Sequence, residues 1–136
     1  MTVRETMYGI LSSDSALAGL GYGEENVYAN GAPDSPPEVG DVWLVLNWGE
    51  EAPGLRGQRG RTRAGVWALT IWFYDRQRDY GTINSAIKRT RDVMDAIEQS
   101  GSVLCTSWQG DGVDGFDDVY QAAFRTSTYT IVANGD

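Results

Sequence analysis

The chain of 136 residues contains no histidine, a single cysteine (Cys105) and a single lysine (Lys88). Without imidazole there is no Ser–His or Cys–His nucleophile pair, and no histidine to bind a metal or serve as general base. One cysteine cannot close an intramolecular disulfide, so nothing ties the chain to an oxidising compartment. Cys105 sits between Leu104 and Thr106 in a strand-like run and is expected to be a small buried hydrophobe, since no cation beside it would activate a thiol. No apolar run approaches the ~20 residues of a membrane span, and Thr2-Val3-Arg4-Glu5 does not read as a signal peptide. The expectation is a soluble protein made in a cytoplasm. Phosphate loops are missing as well: "GLGYG" lacks the G-x-G-x-x-G spacing and reads as a turn.

What is present is a globular composition, 41% hydrophobic and 11% aromatic, with a net charge of −8. The length suits one domain, 1–136, large enough to bury a core. Within the acidic whole, "GLRGQRGRTRAG" gathers Arg56, Arg59, Arg61 and Arg63, and removing those four charges from −8 leaves −12 on the rest. A body that acidic repels nucleic acid and anionic membrane.

Thr2-x-x-Glu5 is a capping box opening a first helix with Val3, Met7, Ile10 and Leu11 on one face. A short helical turn follows over Ala16 to Leu20. Residues 29–40 hold three of the four prolines and must form an extended connection. "DVWLVLNW" (41–48) and "GVWALTIWFYD" (65–75) read as strands flanking the Arg-rich segment, an antiparallel hairpin with a long loop between them. Asp79 caps a second long helix that runs to about Ser100 and stops at Gly101, with Ile83, Ile87, Thr90, Met94 and Ile97 as its buried stripe. "VLCTSW" (103–108) is a further strand, "QGDGVDGFDD" a turn, and 118–132 a final strand. The last strand's apolar positions are even at Tyr120, Ala122 and Phe124 and odd at Tyr129 and Ile131, which predicts a bulge near Arg125 to Ser127. The order specifies an α+β fold, an antiparallel sheet with two helices packed on one face. The opposite face then carries Trp43, Val66, Trp72 and Tyr74. Either the loops over 21–40 fold across it or it is an oligomer interface, and the interface is the preferred reading.

The acidic turn Asp111, Asp114, Asp117 and Asp118 is the one metal candidate. Counted as a calcium loop from Asp111, its third, fifth and twelfth positions are Val113, Gly115 and Ala122, so the pattern fails and Asx-turn chemistry explains it better. The expectation is no metal, no cofactor and no enzyme.

Taken in order, "YGILSSDSALAGL", "NVYANGAPDSPP", "DVWLVLNW", "VWALTIWFYD" and "DYGTINSAIKRTRDVMDAIE" resemble the tail terminator (tail completion) proteins of long-tailed bacteriophages. Asp14 and Leu17 match that family's D-x-x-L-like helix segment, Pro36 and Pro37 its extended stretch, and Asp75 to Tyr80 the turn into the second helix. The Asp-rich turn at 111–118 is outside that pattern. The resemblance covers nearly the whole chain, through pattern and order without a diagnostic motif. It implies a homohexameric ring in the virion, on the head-proximal end of the tail tube. Such a ring ends tube polymerisation and serves as the platform for a neck or head-completion protein, while genomic DNA passes through the lumen without specific binding. A lumen that lets DNA slide has no use for rings of arginine, because each phosphate contact holds the duplex. Arg56, Arg59, Arg61 and Arg63 are therefore expected to point along the axis or outward, toward carboxylates of a neighbouring subunit, the tube or the neck. A solvated loop that binds nothing is the plain alternative. Other readings are a neck or head–tail connector of the same virion, a nucleic-acid-binding module using the arginines, and a small carboxylate enzyme using Asp114 or Asp117.

Overall fold

The computed structural model describes residues 2–29, 41–53, 64–97 and 103–134. Helix α1 (Val3–Ser12) begins at Thr2, whose Oγ1 accepts the Glu5 N–H at 3.1 Å while a Glu5 carboxylate oxygen accepts the Thr2 N–H at 3.3 Å. This reciprocal box satisfies two donors that a first helical turn leaves open. Helix α2 (Ser15–Gly19) is capped by Asp14, which accepts the Leu17 N–H at 3.0 Å. A 3₁₀ turn (Glu24–Asn26) leads into β1 (Val27–Tyr28).

The main strands are β2 (Val42–Pro53), β3 (Ala64–Asp75), β4 (Val103–Asp111), β5 (Gly115–Asp117) and β6 (Ala122–Asn134), with helix α3 (Tyr80–Asp95) between β3 and β4. They form one sheet in the order β1-β2-β3-β6-β4, with β5 also pairing β6. The α+β class is as expected, but the sheet is mixed: β1 runs parallel to β2 while the other pairs are antiparallel. The turn expected over residues 109–118 is largely strand. Because β3 occupies one side of β6, β4 and β5 lie in line along the other side and share one sheet edge.

The parity change read into the last strand has a different cause. β6 keeps unbroken register with β3 from Asp75↔Ala123 to Ala64↔Asn134, so the bulge expected at Arg125 to Ser127 is not there. Register shifts fall instead in β2 at Trp48/Glu51 and in the β4 pairing at Val103/Cys105 and Trp108/Gly110. Along β6 the odd positions Ala123, Tyr129, Ile131 and Ala133 enter the main core, while even Ala122 belongs to a second cluster on the other face and half-buried Phe124 packs against it. Two apolar patches at opposite ends and on opposite faces of one strand imitate a change of parity.

The helix-side core is built from Leu44 and Leu46 of β2, Leu69, Ile71 and Phe73 of β3, and Tyr129 and Ile131 of β6. Against them pack Val3, Met7 and Leu11 of α1, Leu17 of α2, and the α3 stripe Ile83, Ala86, Ile87 and Met94. Asp79 caps α3 by accepting the N–H groups of Gly81 and Thr82. The helix ends at Asp95, five residues before the expected Ser100, and residues 98–102 lie outside the described residues. Its last turn tightens as the Ile97 N–H bonds to the Met94 carbonyl, which also accepts the Thr106 hydroxyl of β4 at 3.0 Å. Among the described residues no helix is long and apolar enough to cross a membrane.

Candidate functional site

The sheet face turned away from the helices divides into a closed half and an open half. At the closed half, Trp43 stacks on its cross-strand partner Tyr74 with ring centroids 4.9 Å apart and planes 6° from parallel. Tyr120 stands edge-on to both rings, at 5.6 and 5.5 Å, and Phe124 lies between Trp72 and Tyr74 at 5.1 and 5.8 Å. Trp43 and Tyr74 are thereby buried within their own chain, while Val66 and Trp72 are half-buried. The four candidate interface residues are thus split: two support the cluster and two still face outward. The cover on Trp43 and Tyr74 comes in part from the segment between β5 and β6, held by Asp117, whose Oδ1 accepts the N–H groups of Val119 and Tyr120. Burial, followed by the Asp117 carboxylate and Tyr120, pushes the Tyr74 phenol well above its ordinary value. It stays a neutral hydroxyl near neutral pH.

The open half continues along the same strands. On β3 it presents Val66, Ala68 and Thr70, and on β6 Thr126, Thr128, Thr130 and Val132, each at least half-buried except exposed Ala68. Asn47 of β2 lies opposite Thr70, and Ser107 and Cys105 of β4 opposite Thr130 and Val132. Cys105 is exposed on this face, contrary to the buried position expected for it. An alternating strand at a sheet edge need not turn every small apolar residue inward, and the shift at Val103/Cys105 sets where this one points. None of these positions carries a charge, in a chain where 22% of residues are charged.

The edge formed by β4 and β5 has the opposite character. The four exposed large hydrophobics of the described residues all lie there: Trp108, Val113, Phe116 and Val119, at 43%, 87%, 39% and 85% exposure. Two of them carry a guanidinium on the ring: Arg91 sits 3.9 Å from the Trp108 centroid and Arg78 4.5 Å from that of Phe116. Asp111 accepts hydrogen bonds from Arg91 at 2.6 Å, Trp108 Nε1 at 2.9 Å and Ser127 Oγ at 2.6 Å. Burial alone would raise its pKa, but those donors and the charge of Arg91 bring it below the usual carboxylate range. Asp114 lies 3.6 Å from Arg125, and Asp117 is a turn cap. The acidic residues are thus distributed among separate structural roles, and no metal-binding group of three or more converges among the described residues.

Arg56, Arg59, Arg61 and Arg63 lie outside the described residues. The last described pair of the flanking strands before them is Pro53 with Gly65. The Asp111–Asp118 stretch borders the other end of β6, near Phe124 and Ser127.

A chain from a gene transfer agent virion shares this fold. The solved structure, titled as the virion of a native gene transfer agent particle, superposes with a TM-score of 0.72 over 98% of this chain and 95% of the other, at 15% identity. At that identity the likeness establishes the fold, end to end, and no more. No protein-family model matches the chain, and no curated protein matches it.

Sequence reading located the outer face but not its division. Phe124 gave part of the signal, since its even position places it beside Trp72 and Tyr74 once β6 is paired to β3 in unbroken register. The Arg78 and Arg91 contacts with Phe116 and Trp108 had no sequence signal, because they join residues far apart in the chain.

Proposed function

We propose that this chain is a structural virion protein that forms a homohexameric ring at the head-proximal end of a phage-type tail tube. The ring ends tube polymerisation and offers the platform on which a neck or head-completion protein joins the head. The observation that carries this reading is the end-to-end fold match to a chain of a virion particle. The order of motifs along the sequence, similar to that of tail terminators, points to the same place in the virion. Such a role is one of binding and assembly, with no reaction and no cofactor.

Charge supports it further. Six copies carry six times −8, and an acidic ring lets DNA pass without the counterion release that phosphate contacts would bring. Arg56, Arg59, Arg61 and Arg63 then serve as docking arms for carboxylates on the tube or neck, where guanidinium pairs bidentately. Electron microscopy of the protein added to growing tail tubes of its own virus tests the reading. Tubes of fixed length with a terminal ring are expected; tubes of unchanged, unlimited length without one would overturn it. Changing the four arginines to serine is expected to leave the fold intact and weaken capping and head joining, read as fewer capped tubes per added protein.

A further inference from the structure

Among the described residues two surfaces are left open to solvent. One is the open half of the outer sheet face, flat, uncharged and rich in threonine. The other is the β4–β5 edge, where Trp108 and Phe116 project on the helix side and Val113 and Val119 sit in the connections beyond β4 and β5. For Trp108 and Phe116 the sheet itself lies between them and that face.

We infer that the two surfaces meet between copies: the Trp108–Val119 edge of one chain packs on the open face of the next. The inference rests on the ring reading and names the contact that would build it. Three observations choose a second copy as the occupant. First, each copy carries −8, so approach through any acidic surface sets like charges together; the open face is where carboxylates can come close without meeting others. Second, the two surfaces complement each other in chemistry. Val113, Phe116 and Val119 bring apolar area, and the hydroxyls of Thr126, Thr128 and Thr130 are donors for exposed Asp114 and Asp118. Third, the two surfaces are unlike, so a contact between them is head-to-tail. A contact between two different surfaces propagates around a ring, whereas a face meeting its own copy stops at a dimer. Strand-to-strand addition at β4 is the competing geometry, and the register shifts at Val103/Cys105 and Trp108/Gly110 disfavour it, since bulges break up the regular edge such pairing needs.

Cys105 makes the test direct, because it is the only cysteine and is exposed on the open face. A chain with Val119→Cys or Val113→Cys carries one thiol on each proposed surface. Treated with a short bis-maleimide at high protein concentration, it is expected to give a ladder of trimers and larger species. The unaltered chain, with one thiol, cannot pass a dimer. Adding Cys105→Ser to the double-thiol chain, or Ala68→Glu or Thr128→Glu on the open face, is expected to abolish the ladder while leaving the melting temperature of the chain within a few degrees. The inference is overturned by absence of the ladder in both the Val113→Cys and Val119→Cys chains. It is equally overturned by efficient dimers of the unaltered chain, which would mean face-to-face pairing, or by a ladder that survives both glutamates. Tube capping is read separately on the unaltered chain: capped tubes without a ladder sink this contact alone, and a ladder without capped tubes sinks the ring's place on the tail.

Discussion

At the scale of single residues, two aspartates pull stability in opposite directions with pH. Asp14 ties α2 to α3: its Oδ2 accepts the Leu17 N–H, and its two oxygens accept Arg89 Nε and a terminal guanidinium nitrogen at 3.0 and 2.8 Å. The Arg89 hydrogen bond, set against burial that would raise it, holds its carboxyl below the usual range. A carboxyl with a depressed folded value adds stability that is complete above its unfolded value of about 4 and is lost as pH falls through the folded one. Asp75 is the reverse case. It is buried, with the Gln77 N–H at 2.7 Å, and burial raises its pKa, with the Asp79 and Asp41 charges adding to the effect. Its charge costs stability above the folded value, and the cost vanishes below the unfolded one. Thermal unfolding between pH 3 and 8 checks both signs. Asp14→Asn, which keeps a capping oxygen, is expected to lower the melting temperature at pH 7 by an amount that shrinks toward pH 3. Asp75→Asn is expected to raise it at pH 7, with the gain fading over the same acid range. A pH-independent offset in either variant would show that the charge is not what matters. The Asp14-x-x-Leu17 spacing was legible in the sequence and now has a cause: a cap and the N–H it accepts stand three residues apart, and Leu17 is fully buried. Arg89 as the third partner was not legible, because it lies 75 positions away.

Among the elements, the connection between β5 and β6 decides which aromatic residues are core and which are surface. The paired strands were readable from alternation, and so was the helical stripe of α3, because both periods are set by local geometry. The parallel pairing of β1 was not readable: a two-residue strand leaves no pattern, and its partner is chosen by tertiary packing. Nor was the aromatic cover over Trp43, since Tyr120 acts through a turn set by Asp117 and by Gln121, whose φ is 53°. Tyr120→Ala removes that cover. It is expected to cost about 2 kcal/mol, below the range for a fully buried aromatic because Tyr120 is only half-buried. The same change should red-shift Trp43 fluorescence as water reaches the indole, while the far-ultraviolet circular dichroism keeps its β-sheet signature. An unshifted spectrum in a destabilised variant would mean that Tyr120 acts elsewhere than on the Trp43–Tyr74 stack.

For the whole molecule, charge separates the proposed contact between copies from the proposed docking on the tube by the sign of their response to salt. Copies that meet through an uncharged face are opposed mainly by the repulsion of their remaining charge, −8 each. Salt screens that repulsion beyond about 10 Å at 0.1 M and about 3 Å at 1 M. Association of the chain with itself is therefore expected to strengthen as salt rises, a response measurable by sedimentation velocity across a salt series at fixed protein concentration. Docking through Arg56, Arg59, Arg61 and Arg63 onto carboxylates runs the other way, because screening weakens attraction as well as repulsion. The four-serine variant joins the two effects: loss of its arginines takes the chain from −8 to −12. Repulsion between copies then grows, so its self-association should be weaker at low salt and recover more steeply on salt addition than that of the unaltered chain. Its capping of tubes should stay low throughout. If self-association of the unaltered chain instead falls with salt, the arginines themselves hold the copies together, and the uncharged face is not where they meet.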